Sequence, residues 1–191
     1  MSSSPAAAPG SFRIALHRFR RNRRGSAAVE FALVAPVFFA LLFAIIETAI
    51  VFFAGQVLET VTQDSARKIM TGQAQTANYT KAQFKDTVVC PNGALAKVLF
   101  NCNNLYIEAK SYPTFPDVAI TEPIDGSKNF IPPTSYCPGQ GGDIVVVRMF
   151  YQWPLFVTGL GYNISNLSGS KRLLSATAAF RNEPFLATSS C

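Results

Sequence analysis

An apolar run from Val29 to Ala54 constrains this 191-residue chain more than any other feature, because polar side chains interrupt it only at Glu30, Glu47 and Thr48. Between Phe31 and Ile46 there is no charge at all. A stretch of that length suits a membrane-spanning helix, which needs roughly 20 mostly apolar residues to cross a hydrocarbon core of ~30 Å. Helix follows because lipid offers backbone amides no partner, so they must bond within the segment. At ~1.5 Å rise per residue, Glu30 and Glu47 lie roughly 25 Å apart along the axis, one near each face of a bilayer. Glu47 then needs no role beyond that of a carboxylate at the outer interface. Glu30 lies just inside the run, where an acid costs up to about 2.5 to 3.5 kcal/mol at mid-membrane and less toward an edge, so a partner is expected. Pro36 cannot donate to the Ala32 carbonyl and is expected to kink the helix.

The charge distribution orients the span. The formal net charge is +6, yet Arg13, Arg18, Arg20, Arg21, Arg23 and Arg24 all precede the apolar run with no acid among them. Removing those six from the seventeen basic residues leaves eleven, balanced against eleven acids. A phosphate-gripping outer domain is therefore not expected, nor a nucleic-acid partner. The arginines act as a topology determinant that holds the N-terminus in the cytoplasm. A cleavable secretory signal would have an apolar core of only ~7 to 15 residues. Here the best small-residue exit, Ala54, has bulky Phe52 two positions before it, so the segment reads as a retained anchor. Cys90, Cys102, Cys137 and Cys191 all fall on the outer side, where disulfides persist. Of three possible pairings, Cys90 with Cys102 is favoured by proximity and Cys137 with Cys191 by elimination. Zinc is the rival, but no pair shows C-x2-C spacing and the only histidine, His17, precedes the span.

Gly25, four residues, then Glu30-Phe31 and an apolar helix resembles the processing site of prepilins in the tight-adherence (Flp) branch of type IV pili. The longer string from Arg24 through Gly25-Ser26-Ala27-Ala28-Val29-Glu30-Phe31 to Pro36 is similar to the start of TadE-like minor pseudopilins. Further similarity is carried by Val89-Cys90, Leu95, Leu99, Cys102 and Leu105, by Gly142 to Arg148 with Tyr151 and Trp153-Pro154, and by Leu173 to Phe185. The resemblance implies cleavage after Gly25 by an aspartyl prepilin peptidase, with Gly25, Ser26, Glu30 and Phe31 as the processing site. It implies no cofactor and no enzyme activity. The implied partners are the peptidase, other pilins and pseudopilins, the inner-membrane assembly platform and the lipid bilayer. Cleavage would free the Ser26 amine, and Glu30 could pair with that amine on a neighbouring subunit in a packed assembly.

An α+β architecture is expected. Residues 1–25 form a basic cytoplasmic leader. Residues 26–70 form a long helix, transmembrane in its first half. Residues 71–191 form a small periplasmic or extracellular head, disulfide-linked, with short helices and an antiparallel sheet. The protein is then a single-pass inner-membrane protein, with a route into an extracellular pilus. After the span, Val57, Val61 and Ile69 keep helical period up to a stop at Gly72. Thr80-x-x-Gln83 reads as a capping box, with Phe84 and Val88 on a buried face. Ala94 to Phe100 adds a turn of helix. Leu105, Ile107 and Ala109 alternate with Tyr106, Glu108 and Lys110, which predicts a strand with the two sets on opposite faces. Tyr112 to Gly142 is a proline-rich irregular loop, and Gly139-Gln140-Gly141-Gly142 reads as a flexible turn. Asp143 to Trp153 and Lys171 to Arg181 supply two more strands, enough for a stable small sheet against a helix.

Catalytic machinery is not expected. A serine or cysteine hydrolase needs a base beside its nucleophile, and His17 lies across the membrane from every candidate. Asp117, Glu122, Asp125 and Asp143 show no recognisable pairing, and no phosphate-binding glycine motif occurs. A second reading is an uncleaved single-pass anchor presenting a ligand-binding or adhesive outer domain, with Tyr112, Phe115 and Phe130 on the long loop as binding residues.

Overall fold

The computed structural model describes residues 25–91, 94–158 and 161–186. A single helix, α1, runs from Ser26–Met70 and continues through Pro36. The chain forms two compact units that divide between Ala44 and Ile45 inside this helix, and each has its own physics. In the first unit, Val29, Phe31, Leu33, Val34, Val37, Phe38 and Leu41 are all exposed, so apolar side chains occupy every side of the helix. A helix apolar all round belongs in lipid or among other helices rather than in water.

In the second unit the helix becomes amphipathic. Val51, Ala54, Leu58, Val61, Thr62, Ser65, Ala66 and Ile69 are buried, at the three-and-four spacing that lines one face. They join one core with Ile107, Ala109, Val145, Val147, Met149, Leu174 and Ala176. Those residues come from a three-stranded antiparallel sheet of β1 (Leu105–Tyr112), β2 (Ile144–Pro154) and β3 (Lys171–Arg181), in that order. Register explains the shared face, because Ile107 opposes Met149 and Met149 opposes Ala176. The outer edge of β1 is not bare, since Ala109 donates to Ser135 O and accepts from Cys137 N at 2.8 Å. Covering an edge in this way removes a template for unwanted strand pairing.

Between helix and sheet come short elements: α2 (Gln73–Thr76), α3 (Lys81–Phe84), a π turn over Lys85–Val89 and α4 (Ala94–Leu99). The capping box forms as the sequence predicts, with both reciprocal bonds between Thr80 and Gln83 present. The buried partner of Phe84 is Val89, whereas Val88 is only half-buried. The π turn is the reason, because bonds to the fifth residue move the inward position one place along the chain. Cys90 and Cys102 are disulfide-bonded across Cα atoms 5.9 Å apart. Cys137 is also disulfide-bonded, and Cys191, its expected partner, lies outside the described residues, as does the arginine-rich leader.

Beyond β3 the chain clasps the end of α1. Glu183 N donates to Met70 O at 2.9 Å, satisfying one of the carbonyls that a helix end leaves without a partner. Gly139 to Gly142 is a tightly held turn rather than a flexible one. Gln140 N donates to Asp143 Oδ2, Gly142 N donates to Asn182 O, and buried Gln75 and Asn182 both donate to Pro138 O. Gly141 is required by close approach: a Cβ there would stand 2.8 Å from the backbone N and O of Phe185.

Candidate functional site

At the start of α1 the expected processing residues are accessible. Gly25 and Phe31 are exposed, and a Cβ built on Gly25 would meet nothing within 4 Å. Glu30 is exposed one helical turn after Ser26 and makes no ion pair among the described residues.

Glu47 is the acid the sequence reading undervalued. Its residue is 7 % exposed, far from the solvated carboxylate expected at an outer interface. Its carboxylate accepts from Phe156 N and, at 3.1 and 3.2 Å, from Val157 N. One residue on, the Thr48 hydroxyl bonds the Tyr162 hydroxyl. The segment leaving β2 is thereby fastened to the helix, with Leu155 buried beneath it and Leu155 N donating to Ser170 O. Charge-assisted bonds to backbone N–H groups offset the cost of burying the carboxylate. An acid inside an apolar run was the signal available, since such acids generally hold a partner.

A second buried acid lies on the other face of the sheet. Glu108, on the face opposite Ile107, is 4 % exposed. It opposes Arg148 in the β1–β2 ladder, accepts from Arg148 Nε at 2.6 Å and pairs with Lys110 Nζ at 3.0 Å. Burial pushes the Glu108 carboxyl up, but bonds and charges from Lys110 and Arg148 outweigh it and hold the group below its ordinary range. Arg148 also donates to Thr121 O at 2.9 Å and lies over the Phe150 ring, pinning the proline-rich loop on the sheet. Phe130 of that loop packs edge-on against Tyr106 and beside Phe150. The loop aromatics therefore do not converge on a binding surface. Phe130 belongs to a small core, the Tyr112 hydroxyl donates to Ala119 O, and Phe115 is exposed. Near the end of the same loop, Tyr136 packs on Phe84 and the main core, and burial pushes its phenol up.

Residues 25–67 match the family model for TadE-like protein. The match begins at Gly25 and ends within α1, so the similarity noted from Val89 to Phe185 lies beyond it. No curated protein and no solved structure matches the chain. The match is a similarity to TadE-like protein over most of the chain's long helix. Among the described residues, α1 is the helix long and apolar enough to cross a membrane.

Proposed function

We propose that this chain is a minor pseudopilin that assists assembly of a tight-adherence (Flp-type) pilus and is cut after Gly25 by a prepilin peptidase. The observation carrying the reading is a coincidence: the family match begins at Gly25, and the helix that starts at Ser26 is apolar on every side in its first part. Residues 1–25 serve as the cytoplasmic leader, 26–70 as the helix and 71–191 as the periplasmic head. A peptidase working beside an apolar helix must bring its aspartates to the scissile bond, and glycine offers no side chain to obstruct that approach. Hydrolysis consumes one water, leaves the Gly25 carboxylate on the leader and frees the Ser26 amine four residues before Glu30.

Assembly then exchanges lipid for neighbouring helices around the exposed apolar surface. Glu30 pairs with the Ser26 amine of an adjacent subunit, which offsets the cost of a carboxylate in an apolar setting and fixes axial register. The partners are the peptidase, sister pilins and pseudopilins, and the inner-membrane platform. Intact mass and N-terminal sequencing of the membrane form, in a host with an active prepilin peptidase, test the proposal. Wild type should begin at Ser26, Gly25→Leu should remain full-length, and Glu30→Ala should be exported yet assemble poorly. Wild-type protein still beginning at Met1 would defeat the processing claim, and normal assembly of Glu30→Ala would defeat the pairing claim alone.

A further inference from the structure

We infer that residues 155–158, together with Tyr162, form a membrane-interface collar, held on α1 by Glu47 and Thr48 and inserting Phe156 into the outer leaflet of the bilayer. Three observations carry this. First, the segment is fixed at a known level of the helix, because Glu47 holds Phe156 N and Val157 N while Thr48 holds Tyr162. A span of roughly 20 residues that enters the hydrocarbon near Phe31 leaves it near Ile50, so residues 47–48 stand at the outer boundary. Second, Phe156 is 85 % exposed although it follows a buried leucine, and on the helix nearby Ile46, Ile50, Phe52 and Phe53 are exposed as well. Apolar surface gathered at one level of a spanning helix is covered by lipid rather than by water. Third, no charged residue occurs from Pro154 to Ser170, whereas Arg148 and Lys171 flank the stretch. Desolvation at a headgroup boundary disfavours charge, and aromatic rings such as Phe156 and Tyr162 suit that depth.

The inference rests on the reading of α1 as a membrane span. Its consequence is that the head is seated on the bilayer surface before assembly, with Glu47 turned inward to a backbone instead of outward to lipid.

The test uses full-length protein in phosphatidylethanolamine–phosphatidylglycerol vesicles whose acyl chains are brominated either near the carbonyl or near the methyl end. Trp153 is the only native tryptophan, so the wild-type emission is the baseline for each added one. Phe156→Trp should add a blue-shifted component quenched more by shallow than by deep bromine. Ile120→Trp, on an exposed head position, should add unquenched emission, and Phe38→Trp should be quenched by deep bromine. Glu47→Ala combined with Phe156→Trp should weaken the shallow quenching. Unquenched emission from Phe156→Trp alongside a quenched Phe38→Trp would overturn the collar while leaving the span intact. Loss of quenching at both would overturn the span and the collar together. A blue shift at Phe156→Trp that appears only at high protein-to-lipid ratio, without quenching, would assign Phe156 to a second copy of the chain and also overturn the collar.

Discussion

Replacing Arg148 with methionine isolates the buried charge on the outer face of the sheet. Arg148 and Glu108 are 6 % and 4 % exposed, so removing the guanidinium strands a buried carboxylate whose remaining ion-pair partner is Lys110, with Lys81 a further nearby cation. Stranding a buried charge in this way costs about 3 to 5 kcal/mol, whereas replacing both partners by apolar residues of similar volume is close to neutral. Arg148→Met should therefore lower the urea midpoint of the full-length protein in detergent micelles far more than Glu108→Leu/Arg148→Met does. The pH dependence has a defined sign. Glu108 is held below its ordinary range in the folded state, so its stabilising contribution is present above the unfolded carboxyl value of about 4.3. It is lost as pH falls through the lower folded value. The gap between wild type and the double variant should be flat near neutrality and change below about pH 4. A cost for Arg148→Met under about 1 kcal/mol, the value of an exposed pair, would refute the reasoning.

Glu47→Ala leaves two backbone N–H groups without their charged acceptor, at about 1 to 3 kcal/mol each, and should expose the Leu155 to Tyr162 segment to faster proteolytic nicking. Cys102→Ser opens a disulfide that spans 12 residues and should lower stability by roughly 2 to 3 kcal/mol in unreduced protein, with no difference from wild type once both are reduced. Gly141→Ala forces a Cβ against the Phe185 backbone and should cost about 1 to 3 kcal/mol by thermal unfolding, whereas Gly126→Ala, with nothing within 4 Å, should be tolerated.

What was legible in the sequence is what neighbours in the chain decide. The helical period through Val57, Val61 and Ile69, the Thr80–Gln83 box and the alternation of β1 and β3 all report local geometry, and each forms. The burial of Glu108 was not legible, because alternation gives only its face of the strand, while the proline-rich loop that covers that face lies elsewhere in the chain. That covering also explains why β2 is buried on both faces through Tyr151. Val88 was misplaced because a π turn leaves no mark in hydrophobic spacing. Of the candidate site, the apolar helix was readable from its length, and the family match begins at the glycine that the motif singled out. The role of Glu47 was not, since its partner at Phe156 lies 109 residues away and offers only backbone.

The bond from Glu183 to Met70 orders events in time. The end of the long helix receives its closing partner from a residue that leaves the ribosome after all three strands. Contacts so distant in sequence form late, because the intervening chain must already be in place. A chain made from its N-terminal side thus reaches this lock only after all three strands have appeared. Until then the helix end, the 139–142 turn and the last strand remain three separate pieces. The long helix, first to be made, is by this arrangement among the last elements to be finished.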